Sequence, residues 1–227
     1  VAAVKCWRPR AVVTNKLMCA ACIRLAVGRA LWVMLFVFSS SVFADPVADL
    51  KTWLHETHTL KADFSQSATG GMAMGGKSQG SMAISRPGKF RWSIIKPYTQ
   101  LMVGDGARIW LYDPELKQVI VRKSDKALGG SPAALLAGDN NVEQRFALKA
   151  DGEHGGAQWV IAEPKLSDTG FVRIRIGLAG NDLKGMILED SFGQTTTLVF
   201  SNVVRNTDVP ASLFRFSPPA GADVLKQ

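Results

Sequence analysis

Residues 70–80 read GGMAMGGKSQG, and Gly71, Gly76, Lys77 and Ser78 satisfy the spacing G-x-x-x-x-G-K-S. That pattern cradles phosphate when a strand precedes the loop and a helix follows it, so that backbone N–H groups and a helix N-terminus meet the anion. Here the residues after Ser78 alternate as a strand, and Gly80 and Pro87 oppose a helix. The expectation is therefore a glycine-rich hairpin rather than a nucleotide site, even though MILED at 186–190 could pass for the acidic partner strand. The three histidines do no better. His55 and His58 flank a helix end but lack the i, i+4 spacing that places two imidazoles on one metal, and His154 stands apart. There is no G-x-S-x-G elbow to raise a serine nucleophile. Asp105, Asp113, Glu189 and Asp190 fall at turn signals, where carboxylates serve the backbone. No catalytic residue, metal ligand set or cofactor site is expected.

One charged residue remains out of place. In MAISRPGKFRWSI, Met82, Ile84 and Arg86 share one strand parity, and Phe90, Trp92 and Ile94 resume the alternation after Pro87-Gly88. Residues two apart on a strand face the same way. Arg86 thus falls in line with apolar side chains, where a cation is costly without partners. Two placements are open: a partnered, inward cation, or one that the Pro87-Gly88 break swings to solvent.

The elements around it can be read from periodicity. Asp45-Pro46 is a helix start, and Val47, Leu50 and Leu54 continue at helical spacing to about residue 57. From Thr59 the period becomes two. Strands are expected at 59–66, 79–86, 89–95, 100–104, 107–112, 117–122, 144–149, 157–163, 171–177, 182–189 and 194–201, separated by Gly- and Asp-rich turns. SPAALLAGD at 131–139 reads as a short helix between strands. This is a mainly β chain with a few helices, a large antiparallel sheet that is curled or barrel-like. Phe64, Met82, Phe90, Trp92, Trp110, Trp159, Phe171 and Phe200 either fill its core or leave an apolar cavity between sheet and helices.

The formal charge of +8 is misleading, because residues 1–44 hold six Lys or Arg and no acid; without them the balance is +2. The remaining cations are scattered, unlike the striped surface of a nucleic-acid binder, and no nucleic-acid partner is expected. Arg24 and Arg29 precede an apolar run from Ala30 to Phe38, and VFA at 42–44 suits a small-residue cleavage site. Residues 1–44 are read as a signal peptide cut near Ala44, with Met18 a candidate start and 1–17 an over-extended gene reading. Residues 45–227 form the mature domain. Cys6, Cys19 and Cys22 all lie in the leader, so the exported chain has no disulfide, thiolate site or lipidated cysteine.

Over nearly the whole mature region the sequence resembles the periplasmic outer-membrane lipoprotein carrier (LolA) family. The resemblance is carried by TLKADFSQ at 59–66, RPGKFRW at 86–92, KPYTQLMVGDGARIWLYDPELKQV at 96–119, SPAALLAGD at 131–139, DSFGQTT at 190–196, FSNVVRN at 200–206 and FRFSPPAGADVL at 214–225. It implies an incomplete antiparallel β-barrel covered by a helical lid. It implies a likewise monomeric periplasmic chaperone, not an enzyme, whose cavity takes lipoprotein acyl chains. The cargo would come from an inner-membrane ABC transporter and pass to an outer-membrane receptor. Leu54, Leu60, Phe64, Met82, Ile84, Phe90, Trp92 and Trp110 are the expected cavity residues, and Pro132, Leu135 and Leu136 the lid helix. Arg86 matches the family arginine that latches the lid. A carrier or sensor of another lipid, such as a glycolipid, is the alternative on the same fold; bound lipid mass separates the two. An exported hydrolase would reveal itself by ester or glycoside turnover.

Overall fold

The computed structural model describes residues 45–70, 76–124, 132–138, 141–166 and 170–227. Residues 1–44 and 71–75, with Gly71 of the phosphate-loop pattern, lie outside the described residues. Helix α1 (Pro46–Glu56) starts as its sequence dictates: Asp45 Oδ1 accepts the Val47 N–H at 3.0 Å, and Pro46 needs no donor partner in the first turn. Its apolar stripe, Leu50, Trp53 and Leu54, is buried.

Strands β1 (Thr59–Thr69), β2 (Lys77–Ser85), β3 (Lys89–Lys96), β4 (Gln100–Asp105), β5 (Arg108–Asp113) and β6 (Gln118–Lys123) follow as a meander. Next come α2 (Pro132–Ala137), α3 (Val142–Arg145), and β7 (Phe146–His154), β8 (Ala157–Pro164), β9 (Phe171–Ala179), β10 (Asp182–Asp190) and β11 (Thr195–Arg205). A 3₁₀ turn at Ala211–Phe214 leads to β12 (Asp223–Lys226). All twelve strands form one sheet in the order β12-β6-β5-β4-β3-β2-β1-β11-β10-β9-β8-β7, open between β12 and β7. Ser78 lies in β2, so a strand, not a helix, follows the glycine-rich hairpin. Among the described residues of the pattern, no helix N-terminus follows to meet a phosphate.

Register decides which side chains share a face. One cross-strand row runs Ala62, Met82, Trp92, Met102, Leu111, Ile120; the next runs Leu60, Ile84, Phe90, Gly104, Ile109, Arg122. Across β1 the same face continues through Phe200 and Leu198 to Met186, Leu188, Ile174 and Ile176. The buried members of these rows join Leu50, Trp53 and Leu54 of α1 and Ala133, Leu136 and Ala137 of α2 in one apolar cluster. This inner face is the core, and the helices are its cover. Phe90 lies over the Gly104 backbone, and a Cβ at Gly104 would enter its ring.

The outer face of β3–β6 carries a second apolar layer that the alternation hides. Arg91, Val103, Trp110 and Val121 share an outer row, with Tyr112 opposite Val119 beside it. The chain after β11 crosses this face. Phe214 is buried there, the Leu213 carbonyl accepts from Arg91 Nη1 at 3.4 Å, and Phe216 lies 5.8 Å from the rings of both Trp110 and Tyr112. The segment then adds β12 parallel to β6, so the edge pair departs from the expected all-antiparallel sheet. Trp110 is therefore corrected: it belongs to the outer layer and cannot reach the inner cavity. Its indole N–H instead donates to Asp105 Oδ2 at 3.1 Å. Burial pushes the Asp105 carboxyl up, but that bond, the N–H groups of Arg108 and Ala107, and the Arg108 charge together hold it below its ordinary 3.8.

Two outcomes follow from this packing. Gly104→Ala forces Phe90 out of its rotamer and should cost about 1–3 kcal/mol, read as a lowered urea midpoint at unchanged slope. Asp105→Asn turns an N–H toward the Trp110 donor and should cost about 1–2 kcal/mol at pH 7. Because the folded carboxyl titrates below 3.8, wild type keeps its advantage above that pH and loses it as pH falls through the folded value. The two stability curves should converge in acid.

Candidate ligand cavity between sheet and helices

Between the inner face and α2 lies a cavity of about 240 Å³. Trp92, Ile94, Met102, Phe171 and Leu188 supply its apolar wall, Pro132 of α2 borders it, and Gln66, Gln100, Gln194, Thr196 and Tyr98 form a polar rim. Register sets its direction. Gln66, Ile94, Gln100, Leu188 and Thr196 lie toward one end of their strands, beside the β1–β2, β3–β4 and β10–β11 turns. This end is the mouth. Exposed Ile95 near the end of β3, and Tyr98 and Phe192 in the turns, lie at this end.

Behind the mouth the wall is closed by core. Phe64 stacks on Trp92, with centroids 4.0 Å apart and planes at 25°. Phe64 also lies over Gly80, where a Cβ would come within 2.8 Å of its ring. Leu54, Leu60, Phe64, Met82, Ile84, Phe90 and Trp92, expected to line an acyl-chain cavity, all fall in the buried inner cluster. Of these only Trp92 lines the present cavity; the others are sealed beneath the helices. In α2, Pro132 borders the cavity, Leu136 is buried, and Leu135 is half-buried against the core. The sequence reading missed Met102 and Leu188, whose only signal is alternation within their own strands, and the polar rim carries no sequence signal of its own.

The two covering helices are held differently. At the far end of the strands, α1 is tied to the sheet through Asn206. Its Oδ1 accepts the His58 N–H at 2.8 Å, and its Nδ2 donates to the Glu56 carbonyl at 2.9 Å. The Asn181 carbonyl accepts Trp53 Nε1–H at 2.9 Å and Arg205 Nη1 at 3.2 Å, with the guanidinium 5.3 Å over the Trp53 ring. Helix α2 runs from the mouth to this same end, where the Ala137 carbonyl accepts the Gly88 N–H at 2.6 Å. Arg86 sits two residues before Gly88. Its backbone N–H donates to the His58 carbonyl at 2.9 Å, and its half-buried side chain has a buried Nη1. The turn that carries Arg86 therefore touches both the C-terminal end of α2 and the segment leaving α1.

Among the described residues no group of three or more His, Cys, Asp or Glu could hold a metal, and no helix is long and apolar enough to cross a membrane. His55 and His58 are exposed. The chemistry on offer is apolar enclosure with a polar lip.

The family described as "Outer membrane lipoprotein carrier protein LolA" matches residues 55–217. A protein of Dechloromonas aromatica named outer-membrane lipoprotein carrier protein is 53% identical over 186 residues, covering 80% of this chain and 88% of that one. A protein of the same name from Nitrosospira multiformis is 44% identical over 198 residues, covering 86% and 96%. The chain belongs to the outer-membrane lipoprotein carrier family. A solved LolA superfamily structure from Nitrosomonas europaea aligns at TM-score 0.49 and 10% identity, over 75% of this chain and 97% of its own; the assignment rests on the sequence relatives.

Met102 offers the cleanest test of the cavity, because it lines the wall yet is only half-buried. Met102→Glu places a carboxylate where apolar ligand must lie, which is strongly unfavourable. Affinity for a fluorescent long-chain acyl probe should fall at least ~10-fold with the circular dichroism spectrum unchanged.

Proposed function

We propose that this chain is a periplasmic chaperone that encloses the acyl chains of lipoproteins between its sheet and helices. It is a carrier rather than an enzyme. It accepts cargo released by an inner-membrane ABC transporter and hands it to an outer-membrane receptor, working as a monomer after cleavage of the leader near Ala44. The observation that carries this reading is an apolar inner sheet face covered by α1 and α2 in a chain of the lipoprotein carrier family. The energetics require such a device. At about 0.8 kcal/mol per CH₂, three long acyl chains would cost on the order of 30 kcal/mol exposed to water. No other lipid class is favoured by the residues on the inner face.

The cavity as it stands is too small for that load. Pockets for drug-sized ligands span about 300–1,000 Å³, and this one holds about 240 Å³. Loading must therefore part α2 from the sheet, exposing Phe90, Met82, Ile84 and Phe64 to the incoming chains. In this reading Arg86 resists that parting. Its turn already holds the Ala137 carbonyl through Gly88, and helix C-terminal carbonyls attract a cation. A guanidinium can serve several acceptors in one plane. In this reading Arg86 stabilises the closed, empty state, weakens loading by that amount, and helps eject cargo to the receptor.

A few charge-assisted bonds supply roughly 2–5 kcal/mol, or about 30-fold to several thousand-fold in affinity. Arg86→Leu should accept lipoproteins, hold them more tightly and release them poorly in a two-step assay with donor membranes and receptor. Arg86→Lys should fall between. Normal release from Arg86→Leu, or failure at loading, would refute the latch without touching the carrier assignment.

A further inference from the structure

The inner face changes chemistry at the mouth. On β1, Phe64 gives way to Gln66; on β4, Met102 gives way to Gln100; on β11, Leu198 gives way to Thr196 and then Gln194. With Tyr98 of the β3–β4 turn these form the polar rim of the cavity. Gln100 on β4 and Thr196 on β11 are separated by β3, β2 and β1, which would set them about 19 Å apart in a flat sheet. Both line one cavity of about 240 Å³, so the sheet curls to bring them to the same ligand. All five rim residues stand on strands or their turns, not on α2, and keep their places when α2 parts from the sheet. Gln66, Gln100 and Gln194 are half-buried, yet among the described residues no side-chain hydrogen bond engages any of the three amides. No charged side chain among the described residues lines the cavity. The charged groups nearest in sequence turn elsewhere. Lys96 lines a groove on the outer face with Asp63 and Ser65, and Lys77 stands opposite Ser67, which has the outer parity of β1. Asp190 Oδ1 accepts the N–H groups of Phe192 and Gln194 at 2.9 and 2.8 Å.

We infer that this rim is a specificity filter, selecting acyl chains joined through uncharged ester and amide linkages over chains joined through a phosphodiester. The inference rests on the carrier reading and names what the cavity recognises beyond hydrocarbon. An apolar wall alone cannot sort lipids whose chains are alike. A glutamine amide offers two N–H donors and one carbonyl acceptor. The donors suit ester carbonyls, the acceptor suits an amide N–H, and the Thr196 and Tyr98 hydroxyls serve either. A cysteine bearing a diacylglyceryl thioether and an acylated nitrogen presents those groups, and no charge, where its chains converge. A phosphodiester presents only acceptors and a full negative charge. Half-buried among neutral side chains it loses water without gaining a cation, and that is unfavourable.

The test uses the mature chain and three compounds with matched octanoyl chains, each displacing the fluorescent acyl probe below its micelle concentration. They are N-acetylcysteine amide bearing a dioctanoylglyceryl thioether, dioctanoylglycerol, and dioctanoyl phosphatidylglycerol. Wild type should bind the cysteine compound about tenfold or more tighter than the phosphatidylglycerol. Dioctanoylglycerol, which has the esters without the amide, should bind less tightly than the cysteine compound. Gln66→Met/Gln100→Met keeps size and removes the polar groups, and should cut the preference over phosphatidylglycerol to about twofold or less. Its thermal unfolding should match wild type. If that variant is destabilised, Gln100→Lys gives the second reading: an added cation should tighten phosphatidylglycerol binding and shrink or reverse the preference. Equal wild-type affinity for the cysteine compound and phosphatidylglycerol would overturn the proposal. So would equal affinity for the cysteine compound and dioctanoylglycerol, or an unchanged preference in either folded variant. These outcomes leave the carrier reading standing, because that reading fails where wild type takes up no fluorescent acyl probe at all.

Discussion

An apolar sheet face can be neither left in water nor filled for good if it is to carry a cargo. That conflict organises this protein. The inner rows from Leu60 to Ile109 and from Ala62 to Met102 are continuous hydrocarbon, and exposing such a surface costs roughly 25 cal/mol per Å². Two helices cover it. Helix α1 is bound to the sheet end through Asn206, Asn181 and Arg205, polar contacts spread over several strands. Helix α2 is six residues long, borders the cavity at Pro132, and meets the Arg86–Gly88 turn at its other end. A short apolar helix has little intrinsic stability. Its place is set by the surface beneath it, which is also the surface cargo would occupy.

The outer face explains why the sheet can tolerate such an exchange. Under the C-terminal crossing, Val103, Val119 and Phe214 form a buried layer that owes nothing to the inner core. On the β7–β10 half, the Lys149–Glu163–Arg173–Glu189 ladder spans four strands. Each exposed bridge contributes little alone, and the backbone ladders carry most of the connection between these strands.

Much of this was legible in sequence because it rests on local rules. Asp45-Pro46 fixed the start of α1, and two-residue periodicity placed the strands to within a few residues. The glycine-rich 68–80 segment could be kept from a nucleotide reading because strand alternation, seen here as β2, follows Ser78. What failed was parity where both faces are apolar. In RIWLYD, Ile109 and Leu111 point inward while Trp110 and Tyr112 point outward, and nothing in four consecutive hydrophobes says which set meets the helices. The answer lay a hundred residues away, in Phe214 and Phe216. β12 was missed for the same reason: its four exposed residues have no buried face to betray them. Its pairing depends on where the outer crossing delivers the chain. For Arg86 the pattern posed a question that parity could not answer, because the residue follows the last residue of β2, in a turn whose Gly88 meets the end of α2.

The account turns on α2 leaving the sheet when acyl chains enter. All three cysteines precede Asp45, so spin labels can be attached to the mature chain at Leu135→Cys on α2 and Val199→Cys, exposed on the outer face of β11. Electron–electron distance measurement before and after loading with a triacylated lipoprotein is the direct test. The account predicts a separation that lengthens by several ångströms on loading and returns when the receptor removes the cargo. An unchanged distance in a fully loaded carrier would contradict it.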